Sequence, residues 1–126
     1  MQLKTPHAIA AGRTLMAVIF LVAGVRKALT YSATAAYFAK LGIPAADIVL
    51  PLTILLEIGG GVALVFGWRL PLVAGVLGIF TMAAAFLAHA FWAVDPAQFN
   101  AQLNNFLKNV AMAGGFLILA TAAKKA

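Results

Sequence analysis

Residues 48–66 read IVLPLTILLEIGGGVALVF. A helix of that length rises about 29 Å, the depth of a bilayer's hydrocarbon core. The run is interrupted by one charge, Glu57, nine residues into the stretch, and three glycines follow after Ile58. A helix apolar on all sides belongs in lipid or deep inside a large protein. A chain of 126 residues is too short to bury it any other way than in lipid.

Three more segments have the same character. They run from about Ala8 to Leu29, Leu70 to Trp92 and Leu103 to Ala122. Composition agrees. Hydrophobic residues make up 64% of the chain and charged ones 10%, against about 25% charged in an ordinary soluble domain. Mean hydropathy is +1.02. The fold class predicted is all-α: one membrane domain over residues 1–126, a four-helix bundle. The first run is read as a retained span rather than a cleaved signal peptide. Gly24-Val25-Arg26-Lys27 makes a poor cleavage site, and further spans follow.

Connections differ in kind. Phe66-Gly67-Trp68-Arg69-Leu70-Pro71 reads as a tight turn, with Gly closing one helix and Pro opening the next. Ser32–Leu41, ending before Gly42, reads as a short amphipathic helix between spans 1 and 2, lying on the membrane surface or over the bundle mouth. Asp95-Pro96 starts a third connection, where Asp95 caps a turn that includes Gln98 and Phe99.

The net charge is +6. The basic residues lie beside and between the apolar runs, as headgroup anchors and topology signals do. No basic stripe with interleaved aromatics suggests nucleic acid. With four spans, both termini share a side. That side carries Lys4, Arg13, Arg69, Lys124 and Lys125, against Arg26, Lys27 and Lys40 on the other. The positive-inside rule then places the termini in the cytoplasm. There is no cysteine, which removes disulfides and thiolate metal sites. The only histidines are His7 and His89; they form no i, i+4 pair, so no metal site is expected.

A charge in hydrocarbon costs several kcal/mol, on the order of 3, and turns toward the protein interior. On the first span Arg13, Ala17, Phe20, Gly24 and Lys27 share a face. On the third, Gly75, Gly78, Met82, Ala85 and His89 do. On the fourth, Asn105, Lys108, Asn109 and Met112 do, and these polar groups are expected to point inward. Counting rise along the spans puts Glu57 about 6 Å in depth from both Arg13 and Lys108. The candidate site is a polar pocket with Glu57 at its floor and Arg13, Lys27, His89, Lys108, Asn105 and Asn109 around it. Gly24, Gly59, Gly60, Gly61, Gly75, Gly78, Gly114 and Gly115 are read as helix-packing positions. Plainer readings stand beside this one. Glu57 with Arg13 is then a structural ion pair, Lys108 snorkels to the headgroups, His89 is an interfacial hydrogen-bonding residue, and Trp68 and Trp92 are belt residues.

The ordered set Gly12-Arg13, Phe20…Gly24-Val25-Arg26-Lys27, Leu56-Glu57-Ile58-Gly59-Gly60-Gly61, Gly67, His89-Ala90-Phe91-Trp92 and Asn105-Phe106-Leu107-Lys108-Asn109…Gly114-Gly115 resembles the DoxX family of small bacterial membrane proteins. The resemblance implies a four-helix inner-membrane protein. Some members of that family are subunits of thiosulfate:quinone oxidoreductases or of other membrane-associated oxidoreductase systems. The family's polar set falls on Arg13, Lys27, Glu57, His89, Lys108 and Asn109. No cysteine is present here to carry sulfur directly.

The function expected is therefore a membrane subunit, with no catalytic residue assigned, that binds a quinone or similar amphiphile and works with a soluble or membrane oxidoreductase partner. Lys108, Asn105 or His89 would bond a quinone carbonyl, Glu57 would relay a proton, and Phe20, Phe86, Phe91 and Phe106 would line the ring. No cofactor-binding motif accompanies these residues. The alternatives are a small proton-coupled transporter and a ligand-free assembly subunit, with homo-oligomerisation open in each.

Overall fold

The computed structural model describes residues 5–124, which are helical apart from short connections, with no strand among them. Lys4 and Lys125, counted above toward the terminal side's charge, lie outside these residues, as does the Lys124 side chain. The elements are α1 (Thr5–Leu29), α2 (Tyr31–Lys40), α3 (Ala46–Phe66), α4 (Leu70–Ala88), a 3-10 turn at Phe91–Ala93, and α5 (Pro96–Lys124). Four segments are long and apolar enough to cross a membrane: Thr5–Leu29, Ala46–Phe66, Leu70–Ala93 and Pro96–Ala122. The all-α, four-span reading is what the structure shows.

Two boundaries differ from expectation. The helix of the third span, α4, ends at Ala88, and a 3-10 turn replaces its last turn. The fourth long helix begins at Pro96, not near Leu103. Apolarity alone hid those first two turns, because Gln98, Asn100 and Gln102 are polar. Pro96 at the first helical position needs no N–H partner, and Gln98 N–H donates to the Asp95 carbonyl at 2.8 Å. The turn expected after Asp95 is thus the first turn of α5.

The chain forms two compact units that divide between Arg69 and Leu70. In the first, α1 and α3 run antiparallel: Arg13 meets Leu64, Ala17 and Leu21 approach Gly61, and Gly24 faces Glu57 and Ile58. α2 packs on α3 and on α1 and buries no residue, as a helix in the headgroup layer would. It ends before Gly42, whose φ of +82° breaks the helix. In the second unit α4 and α5 are antiparallel, with Gly78 against Phe116 and Thr81 against Asn109.

The apolar surface points outward. Leu15 is 74% exposed, Leu55 69%, Ile79 75% and Ile118 69%. In water so large an apolar surface would drive association; in lipid it is the solvated face. The buried set is small or well packed: Ala17, Phe20, Leu50, Leu64, Ala74, Leu77, Ala85 and Phe116.

Candidate functional site

Glu57 is the buried charge of α3, with its side chain only 5% exposed. Lys27 Nζ stands 2.8 Å from Glu57 Oε1. Depth counting offered Arg13 and Lys108 as its partners, and the structure gives it Lys27 instead. The reason lies in how side chains leave a helix. Every Cα–Cβ bond tilts toward the helix N-terminus. In an antiparallel pair, Lys27 near the end of α1 therefore leans back toward the middle of the membrane, and Glu57 leans toward it. Arg13 leans in the same sense as Lys27, which from its place near the start of α1 carries it away from Glu57, to the far end of α3. Counting Cα depth alone left Lys27 in the outer half of the expected pocket and missed the side-chain reach that brings it to Glu57.

The two form a close ion pair at the buried carboxylate of Glu57. Gly24 makes the pair possible. A Cβ there would lie 2.6 Å from Ile58 Cγ1 and 3.3 Å from Glu57 Cβ.

Arg13 has another task. Its Nε–H donates to the Leu64 carbonyl at 2.9 Å. Leu64 lies in the last turn of α3, where carbonyls have no partner further along the helix. A cation there also complements the negative end of the helix dipole. Gly67, with φ +75°, closes the same turn. A Cβ on Gly67 would meet the Arg13 guanidinium at 3.2 Å, so this glycine supplies both the left-handed turn and the room.

In the second unit, His89 follows the last residue of α4, and its Nδ1 is 2.9 Å from Gln102 Oε1 on α5. Close by along α4, the 3-10 turn and α5 stands a group of rings. Phe106 packs edge-on against Phe86, Phe91 and Trp92 at 5.2, 5.3 and 5.9 Å between centroids. Phe91 also meets Trp92 and Phe99. The 3-10 turn delivers Phe91 and Trp92 to this cluster. Asn109 Nδ2–H donates to the Thr81 carbonyl at 3.2 Å. The buried Thr81 hydroxyl has no hydrogen-bond partner among the described residues.

Of the expected residues, Glu57 and Lys27 come together, and Phe86, Phe91 and Phe106 do. Asn105 is half-buried. Lys108, expected to point inward, is exposed, as a long stem carrying its charge out of an apolar surface would be. Gly24, Gly61 and Gly78 are at close approaches, whereas a Cβ on Gly59, Gly75 or Gly114 meets nothing within 4 Å. Sequence reasoning missed Gln102, Phe99 and Thr81. Gln102 and Phe99 fall where a loop was expected. With α5 starting at Pro96, Gln102 is the one polar side chain of its second turn that can face His89.

A model of the DoxX family matches residues 8–90. Inner membrane protein YqjF of Escherichia coli (strain K12) is 39% identical over 108 residues, covering 86% of this chain and 78% of that protein. Inner membrane protein YphA of the same organism is 28% identical over 108 residues, covering 86% of this chain and 77% of that protein. No solved structure matches.

Proposed function

This chain belongs to the DoxX family, and from that premise we propose that it is an inner-membrane subunit that holds the ring of a quinol or a similar amphiphile for an oxidoreductase partner. The observation that carries the reading is the imidazole of His89, fixed by Gln102 beside a cluster of aromatic rings. A quinone head is a flat ring edged with oxygen atoms, and its tail is soluble in lipid. Phe86, Phe91 and Phe106 supply ring faces and edges. Trp92, 55% exposed, suits the boundary between headgroups and hydrocarbon.

The Gln102 carbonyl oxygen accepts from His89, which places the hydrogen on Nδ1 of the neutral ring. Nε2 then presents a lone pair. That nitrogen accepts a hydrogen bond from one quinol hydroxyl and takes its proton when the partner withdraws two electrons, while the second hydroxyl's proton passes to water at the membrane surface. The bound quinol supplies the electrons, and the partner supplies the redox group that accepts them. Within this reading the Glu57–Lys27 pair fastens α1 to α3. The positive-inside count puts both termini in the cytoplasm and His89 toward the opposite face.

The test uses the protein in nanodiscs with reduced and oxidised short-tail ubiquinone or menaquinone analogues. His89→Phe and Gln102→Leu each weaken quinol binding about tenfold, the value of one hydrogen bond at about 1.4 kcal/mol. Wild-type protein that binds neither analogue, or variants that bind quinol as tightly as wild type, would contradict the reading.

A further inference from the structure

Arg26 stands one turn before the end of α1, exposed, on the face of that helix that carries Leu15, Val18, Ile19 and Val22. Those four aliphatic residues are themselves 51–74% exposed. Together with Ala23 and Arg26 they line an open groove of about 390 Å³ along α1. Arg26 has no ion-pair partner among the described residues, whereas its neighbour Lys27 is engaged with Glu57. The groove is therefore apolar along its length and carries an uncompensated guanidinium at one end.

We propose that this groove is a binding site for one anionic phospholipid, with its phosphodiester on Arg26 and an acyl chain laid along Val22, Ile19, Val18 and Leu15. Length supports the match. Leu15 to Arg26 spans about 16 Å of helix rise, close to the depth of one leaflet's hydrocarbon, about 15 Å. Charge supports it as well. A guanidinium at the hydrocarbon boundary needs an anion, and a phosphate accepts its planar fork in two parallel hydrogen bonds. The site lies wholly on α1 and stands independently of the quinol reading.

The experiment is native mass spectrometry of the full chain released from nanodiscs of equal parts phosphatidylglycerol and phosphatidylcholine. The wild type retains phosphatidylglycerol over phosphatidylcholine by about tenfold. Arg26→Gln brings the two lipids to parity, while Lys40→Gln, an equal change of charge away from the groove, keeps at least half of the preference. Val18→Trp fills the groove, leaves every charge in place and also lowers retention, and its exposed position keeps the fold out of question. Three outcomes would each overturn the proposal: no preference in the wild type, an Arg26→Gln protein that keeps the full preference, or a loss in Lys40→Gln as large as that in Arg26→Gln. The last would mark the preference as general surface charge.

Discussion

At the scale of single residues, the direction in which a side chain leaves its helix decides which charges meet. Arg13 and Lys27 lie on one face of α1, and Glu57 could in principle take either. Only Lys27 leans toward it. Arg13 leans to the end of α3 and binds the Leu64 carbonyl. Arg13→Ala is therefore expected to lower unfolding stability by about 1–2 kcal/mol, the worth of a charged hydrogen bond at a helix end. Gly67→Ala costs a similar amount, from the left-handed backbone and from the displaced guanidinium. Because both changes disturb one contact, the double variant costs less than their sum. Unfolding in mixed micelles reads all three, and strict additivity would show that Arg13 does not cap α3. The types and positions of these residues were legible in the sequence. Their partners were not, because partner choice depends on side-chain direction and on the stagger of two helices, and neither appears in a count of residues.

At the scale of helices, the close contact of α1 with α3 rests on two glycines of unequal standing. At Gly24 a new Cβ meets Ile58 and Glu57, including the Ile58 backbone nitrogen at 3.3 Å. At Gly61 it meets Leu21 Cδ2 and Cγ at 2.7 and 2.8 Å, a side chain that can turn aside, and only touches the Ala17 carbonyl oxygen at 3.4 Å. At Gly59 it meets nothing within 4 Å. Alanine substitutions should therefore rank in cost Gly24, then Gly61, then Gly59. The first costs about 1–3 kcal/mol by overpacking. The last is neutral or stabilising by up to about 1 kcal/mol through helix propensity. The same unfolding assay tests the order, and a Gly59→Ala as costly as Gly24→Ala would contradict this packing. Sequence alone treated all of these glycines alike, since a small residue permits close approach without saying whether anything approaches. Element boundaries were legible where a breaker marks them, as at Gly42 and Gly67. They failed at Pro96, where a polar first turn hid a helix start that the Asp-Pro pair itself announces.

At the scale of the whole molecule, lipid as the solvent explains both the outward apolar side chains and the inward charge. Composition made this legible at once, and the four spans follow from it. The chain has no cysteine, so single cysteines placed at Thr5 and Tyr37 report sidedness without background. If the termini are cytoplasmic, a membrane-impermeant maleimide applied to intact cells labels Tyr37→Cys and spares Thr5→Cys. The reverse pattern would invert the topology. The central claim is that Glu57, the buried charge of α3, turns from lipid and takes the partner that the leaning of antiparallel helices dictates. A double-mutant cycle on Lys27→Met and Glu57→Gln, read by reversible unfolding, tests it most directly. Removal of a fully buried partner typically costs about 3–5 kcal/mol. Lys27 keeps 25% of its side chain exposed, so each single variant should lose about 2–3 kcal/mol and the double variant no more than either. The matching cycle with Arg13→Met should be additive within about 0.5 kcal/mol. Additive losses for Lys27 and Glu57, or coupling of Glu57 to Arg13, would contradict the account.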